Sequence, residues 1–489
     1  MMLSVDQLPE DVLHDLFDWL SVIDQPTLFI ANRAPLVETS LGWITASHVC
    51  RRWRSSILSM PLLWAAIAGG VSASQATCET FIERAGRAPL HFWTWHLQHF
   101  GRIESHPDYS VSPLRRMVAQ LTPRYRDRLE RLALYIASGR RMSVDGGISD
   151  QRDLAIVEKC SFPQLKDLYL ESDDHHIRVT AAFEAPKLEN LYMNQIFLAF
   201  RAPILRFLRI DSRQVVSFKT LRDGIASSPL LEELELGLYN VYDLVDDASL
   251  PPNSHKKIRL PRLAVLHYHG TCQPFRLLRE AIDVPTTALL SMDLSETTQA
   301  EVIFLFTYTR DFISHPKNDS LRLSFTDDNN TKTFHVQIYQ STAAAQHATA
   351  DGMRSRSGVY VYLRDSGIWP RGDEIRSLMT ALLAAAELGN IRYLDFDRIS
   401  DACFETEEIA MFQRVLRPLT DVTSVSVGRE SDLHFAHRLL CPDAPASPLF
   451  PHLRSLVLKP PRDTIPQLAS SSLRVLSGVD GPRQHMETK

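Results

Sequence analysis

Two groups of side chains carry donor atoms at spacings that could do chemistry. His267, His269 and Cys272 form H-x-H-x-x-C, and His91, His96 and His99 form a second cluster. Imidazole and thiolate are zinc ligands, and a structural zinc site gathers four of them. The 6 cysteines, however, are dispersed, and no C-x-x-C pair occurs. His267 and His269 alternate on what reads as a strand, at positions expected to face water. His91 to His99 interleave with Phe92, Trp93 and Trp95, as an amphipathic strand would. Both groups are read as polar strand positions, and no metal or other cofactor is expected. The chain also lacks a glycine-rich phosphate loop, H-E-x-x-H and G-x-S-x-G. Only a triad assembled from distant segments would escape such a search. The expectation is a protein that acts by binding, not an enzyme.

Bulk properties narrow the class. With 489 residues, 44% hydrophobic and 23% charged, the chain is globular and too long for one compact core. Its net charge of −5 and pI near 6.4 give no basic face for nucleic acid. Arg51, Arg52 and Arg54 form a short, isolated basic run, which reads as a solvated helix face. The first twenty residues carry acids and no apolar core, unlike a signal peptide. Apolar runs such as Val302 to Phe306 fall far short of the roughly 20 residues of a membrane span. A cytoplasmic or nuclear protein with reduced thiols, and no membrane partner, is expected.

The N-terminus reads as helices. Leu8-Pro9-Glu10-Asp11 opens one, with proline suited to the first helical position and acids facing the positive end of the dipole. Val12, Leu13, Leu16, Phe17 and Leu20 follow at helical spacing. A second helix is predicted from Ile44 to Leu58, with Ala46, Val49, Cys50, Trp53 and Ile57 as its apolar stripe. Pro61 should stop it, leaving Leu63 and Trp64 as a short anchor, with both Trp53 and Trp64 in the core. So small a module buries little surface of its own, and its surplus apolar residues suggest a face for a partner.

Leu8-Pro9 with Val12, Leu13, Leu16 and Leu20, then Val49 to Arg54, then Pro61 to Trp64, resembles the F-box, in the form found in mushroom-forming fungi. The stretch 21–40, with Pro26 and Pro35, is longer than the compact F-box allows and reads as a surface loop insertion. The resemblance implies docking on a Skp-type adaptor and, through it, a cullin. It places Leu8, Pro9, Val12, Leu13, Leu16, Val49 and Cys50 at that contact.

A second pattern, Pro-x-Leu-x-x-Leu-x-Leu, recurs along the rest of the chain. Copies begin at Pro163, Pro186, Pro203, Pro229, Pro261 and Pro451, with weaker ones at Leu129, Leu289, Ile391 and Val422. The L-x-x-L-x-L core is the leucine-rich-repeat signature, in which stacked strands bury a face that no single repeat can. Leucines 165, 188, 205, 231 and 263 are 23, 17, 26 and 32 residues apart, so the array is degenerate. Helices are predicted over Phe275 to Ile282 and Ile375 to Leu388. Half-buried strands are predicted at 321–325, 334–338 and 359–363.

The expected fold is α/β: an all-α F-box module over 1–69, a helical bridge over 70–125, a degenerate leucine-rich-repeat solenoid of strands and helices over 126–478, and a frayed tail over 479–489. Residues flanking the strand leucines would face outward. They include Asp167, Tyr169, Glu171, Tyr192, Arg209, Asp211, Glu233, Glu235, His267 and His269, with Tyr393, Asp395 and Asp397 further on. Aromatics with an excess of acids suit a basic protein substrate of a Skp–cullin–F-box ubiquitin ligase. The rival readings are a cullin-independent binding scaffold and, behind it, an enzyme with a C-terminal active site.

Overall fold

The computed structural model describes residues 8–30, 37–69, 74–92, 120–136, 161–172, 183–242, 257–295, 297–328, 331–340, 358–365, 380–382, 388–397, 406–428, 430–440 and 448–458. N-terminal helices lead into one large sheet, and a continuous apolar interior joins them.

Helix α1 spans Glu10–Ile23, with Pro9 as its N-cap and Glu10 and Asp11 in its first turn. Leu13 and Phe17, four residues apart, are fully buried, and Leu20 packs partly beside them. The insertion expected to be a loop over 21–40 is more ordered. α1 runs into it, and Thr27–Ile30 pairs antiparallel with Val37–Ser40. The helix expected over 44–58 is also divided. A 3-10 turn covers Gly42–His48, and α2 covers Arg51–Leu58. Cys50 breaks them apart with an extended backbone and caps α2, its Sγ accepting from the Trp53 amide at 3.4 Å. Gly42 starts the turn at φ +49, where a Cβ would fall 2.4 Å from the Asp24 carbonyl oxygen.

Pro61 both ends that segment and opens α3 (Pro61–Ile67) from its first turn. Trp64 is therefore part of a helix. It is fully buried, donates its indole N–H to the Ile57 carbonyl at 2.9 Å, and meets Trp43 edge-on at 5.2 Å. Helix α4 (Gln75–Arg84) sets the Arg84 guanidinium 4.4 Å over the Trp64 ring. Of the bridge expected over 70–125, residues 70–73 and 93–119 lie outside the described residues.

Among the described residues, fourteen strands form the main sheet. In chain order they are β1 (Leu90–Phe92), β2 (Leu129–Ile136), β3 (Asp167–Ser172), β4 (Asn190–Asn194), β5 (Phe207–Ser217), β6 (Glu233–Tyr242) and β7 (Val265–Gly270). Then come β8 (Leu289–Ser295), β9 (Ser320–Asp328), β10 (Thr331–Tyr339), β11 (Gly358–Asp365), β12 (Tyr393–Asp397), β13 (Ser424–Val427) and β14 (Ser455–Leu458). β1 to β8 are parallel and lie side by side in sequence order. After β8 the order changes to β11, β10, β9, β12, β13, β14. β10 runs antiparallel to both β9 and β11, while β11 joins β8 and β12 joins β9 in parallel. The three strands predicted over 321–363 are thus a meander set into the ladder in reverse order.

The repeated leucines form rows across these strands. Leu168, Leu191, Leu208, Leu234, Leu266 and Leu290 are consecutive register partners, none more than 1% exposed. The row continues through Val359, Ile338, Leu321, Leu394 and Val425. Among the described residues it ends at Leu456, which is exposed on the last strand. The repeated proline has its own role. Amides of Leu165, Leu188, Leu205, Leu231, Leu263 and Leu453 bond back three residues to the carbonyls of Phe162, Ala185, Ala202, Ser228, Leu260 and Phe450. Each is a β-turn with proline second, where its fixed φ is favoured.

The uneven spacing has a local explanation. In the short interval before Leu205 the chain holds Phe200–Arg201, which pairs with Phe183–Glu184 of the preceding interval as a small second ladder. The longer interval before Leu231 holds a helix, Phe218–Ala226, and a second helix, Cys272–Ala281, follows Leu263. The helix predicted over Ile375 to Leu388 falls largely on residues outside those described, as does the chain after Leu458.

A row of alternating charge crosses the start of the strands. Glu130, Lys166, Glu189, Arg206 and Glu232 occupy successive rungs. Lys166 meets Glu130 at 2.7 Å, and Arg206 grips Glu232 through two bonds of 3.0 and 2.9 Å. The neighbouring His91 imidazole, 3.8 Å away, then the Lys166 ammonium at 2.7 Å, lower the Glu130 carboxyl from 4.5 to about 2. A depressed carboxylate stabilises the fold fully above its unfolded pKa and loses that contribution as pH falls through its folded one. The contribution is expected to vanish between about pH 4.5 and 2. It should not exceed about 1 kcal/mol for a partly solvated pair. Glu130→Gln should lose this part of the acid sensitivity of the urea midpoint. An unchanged acid profile would show that the pairing contributes nothing.

Candidate functional site

Helix α1 is apolar on two sides. Beyond the buried Leu13 and Phe17, it presents Val12, Leu16, Trp19 and Ile23 at i, i+4, i+7 and i+11. Leu16 is half-buried, while Trp19 is 69% and Ile23 72% exposed, with Val22 beside them. Leu58 of α2 and Leu62 of α3 are also exposed. α1 is pinned to α2 by polar bonds. The Arg52 guanidinium donates to the Leu8 carbonyl and lies 3.7 Å from Glu10, and the Ser56 hydroxyl donates to the Glu10 carboxylate. Arg54 donates to the Ser47 carbonyl at 3.0 Å.

The seven residues expected at a partner contact are thereby sorted. Pro9, Val12 and Val49 are exposed; Leu8, Leu16 and Cys50 are half-buried. Leu13 is a correction: it has no exposure and points into the core with Phe17, so it holds the helix in place. Sequence reasoning missed Trp19, Val22, Ile23, Leu58 and Leu62. For Trp19 and Ile23 the signal existed, since they extend the spacing of Val12 and Leu16 by further helical turns.

The second surface is the side of the sheet opposite the leucine rows. Because side chains alternate along a strand, residues between the buried leucines share this face. One row reads Tyr169, Tyr192, Arg209, Glu235, His267, Ser291 across β3 to β8. Its aromatic part is contiguous. Tyr169 and Tyr192 have ring centroids 6.2 Å apart, and Tyr192 lies 4.7 Å from Phe207. Burial, then the charge of Glu171 for Tyr169 and of Asp167 for Tyr192, pushes both phenols up, so they stay neutral.

Acids border the rings. Asp167 is 3.0 Å from Arg131 and accepts from the Asn190 amide at 2.5 Å. Glu171, only 9% exposed, accepts from the Tyr169 hydroxyl and the Asn194 amide, each at 3.1 Å. Arg209 is 3.5 Å from Glu235, while Glu233 is exposed and Asp211 half-buried. Asp395, expected to face outward, is 4% exposed because Arg322 covers it at 2.5 Å.

The histidines are placed apart from Cys272. His269 Nε2 lies 2.5 Å from the Tyr239 hydroxyl, and its Nδ1 lies 3.9 Å from Asp293. Half-buried His267 sits between Glu235 and Ser291 in register. Cys272 is buried at the start of its helix, and desolvation raises its thiol to about 12. Among the described residues, no three His, Cys, Asp or Glu side chains are grouped to hold a metal. His91 lies 3.8 Å from Glu130, and His96 and His99 fall outside the described residues. No helix among the described residues is long and apolar enough to cross a membrane.

An exposed apolar helix stripe and a polar, aromatic sheet face are the two candidate surfaces. The N-terminal surface belongs to a recognised domain. Residues 5–68 match the F-box-like family model, so the chain carries an F-box-like domain there. F-box domains generally bind Skp-type adaptors, and the proteins that contain them are typically non-catalytic adaptors. No curated protein and no solved structure matches the chain.

Proposed function

We propose that this chain is the substrate receptor of a Skp–cullin–F-box ubiquitin ligase. The F-box-like domain at residues 5–68 carries the reading. The exposed stripe of Val12, Trp19 and Ile23 supports it, since contiguous exposed apolar patches mark protein contact sites. On this reading the leucine ladder is a degenerate leucine-rich-repeat solenoid, and its outer face holds a protein substrate. The receptor performs no chemistry. It holds the substrate beside a ubiquitin-charged enzyme, which makes a bimolecular encounter effectively unimolecular.

Affinity purification of the intact chain tests the proposal. A Skp-type adaptor and a cullin should co-purify, together with at least one protein whose ubiquitination depends on the chain. Adaptor without cullin would favour a cullin-independent scaffold. Absence of any Skp-type adaptor would overturn the receptor reading.

A further inference from the structure

The outer face of the sheet is not uniform. Over β2 to β6 its described side chains include five carboxylates, Asp167, Glu171, Asp211, Glu233 and Glu235, against three guanidiniums, Arg131, Arg209 and Arg213. Over 265–270, 289–295, 320–324, 334–339 and 358–363 of β7 to β11 the charges are one aspartate, Asp293, and one arginine, Arg322. The contiguous rings of Tyr169, Tyr192 and Phe207 lie within the acidic half, not the neutral one. Carboxylates there are held in place by amide and hydroxyl donors, with Asn190 on Asp167 and Asn194 and Tyr169 on Glu171.

The neutral half displays what such a combination binds. Arg322 lies over Tyr339 at 5.8 Å, donates to Asp395 at 2.5 Å, and reaches the Gln337 amide oxygen at 3.3 Å. Ring, carboxylate and amide together seat one guanidinium on this face. On the acidic half the same three groups recur with a surplus of negative charge.

We propose that the acidic half of the sheet face, centred on Tyr192, docks an arginine-bearing segment of a protein partner. The proposal rests on the receptor reading and names the chemistry of its substrate. A guanidinium stacks flat on an aromatic ring while its N–H fork bridges carboxylates; a lysine ammonium does neither as well. The surplus charge of β3 to β6 steers such a segment and discriminates against acidic ones.

The test uses the full chain and three labelled twelve-residue peptides of Gly and Ser, carrying three Arg, three Lys or three Glu, read by fluorescence anisotropy. The arginine peptide should bind at least about 3-fold tighter than the lysine peptide, and the glutamate peptide should not bind. Raising salt from 50 to 300 mM should weaken the arginine peptide about 10-fold or more. Glu233→Lys with Glu235→Lys should cost about 10-fold or more. Glu280→Lys, on the helix behind the sheet, should cost nothing. Tyr192→Phe keeps the ring and should retain binding, whereas Tyr192→Ala should not. Adaptor capture by the Glu233→Lys, Glu235→Lys chain is measured in parallel and should be intact.

Equal binding of the arginine and glutamate peptides, no arginine-peptide binding, or arginine-peptide binding indifferent to the charge reversal would each overturn the proposal. Lysine binding equal to arginine would overturn its guanidinium specificity. Loss of the adaptor interaction from the unaltered chain would instead sink the receptor reading, leaving the peptide result to stand by itself.

Discussion

Leu208→Ala is expected to cost about 2–5 kcal/mol, a large part of what holds a domain folded. Leu208 has no exposure and lies on β5 between its register partners Leu191 and Leu234. The cavity left by truncation could not close easily. Backbone bonds to β4 and β6 fix the strand on both sides, and the neighbouring row positions are already filled by leucine. The lost transfer free energy would therefore be joined by a cavity penalty. Leu456 is the control. It occupies the same row on the last of the described strands, where it is 50% exposed. Leu456→Ala should shift stability by less than about 1 kcal/mol. Urea unfolding followed by far-UV circular dichroism reads both. Equal midpoints for the two variants would show that the leucine row is not the core.

That contrast also shows what could be read from sequence. Leu208 and Leu456 stand in the same local motif, and the motif correctly gives the strand and its inward face at Leu208. It does not say where the ladder ends, because burial depends on whether another strand lies alongside. The meander of β9 to β11 poses the same difficulty. Alternation at Leu321, Val336 and Val361 identifies three strands. Their order is set by long-range pairing, Leu321 with Leu394 and Val359 with Leu290, which no short window contains. The break between the 3-10 turn and α2 was also hidden. The apolar stripe from Ala46 to Ile57 fits one helix, and only the extended backbone of Cys50 interrupts it. The proline before each repeat leucine was legible as a motif. The structure adds its reason, a β-turn that fixes where the strand begins.

At the N-terminus the difficulty is a helix with two apolar sides, which leads to the second large effect. Trp19→Ala is expected to weaken binding of a Skp-type adaptor by about 30-fold or more, equivalent to roughly 2 kcal/mol or above. Trp19 is the largest exposed side chain on the outer stripe of α1, next to Val22 and Ile23. Tryptophan is enriched among interface anchors because its area is large and few rotamers are lost on docking. At 69% exposure its truncation removes little packing from the chain itself, so the fold should survive. Leu13→Ala would be a misleading probe of the same face. It would open a cavity beside Phe17 and damage the module before any contact was tested. Pro9→Ala with Val12→Ala, both at exposed positions, tests the opposite end of α1. Titration of purified adaptor against each folded variant locates the contact along the helix. A loss confined to the Pro9 and Val12 change would place docking at the N-terminal turn. Full adaptor affinity in every one of these variants would remove α1 from the interface altogether.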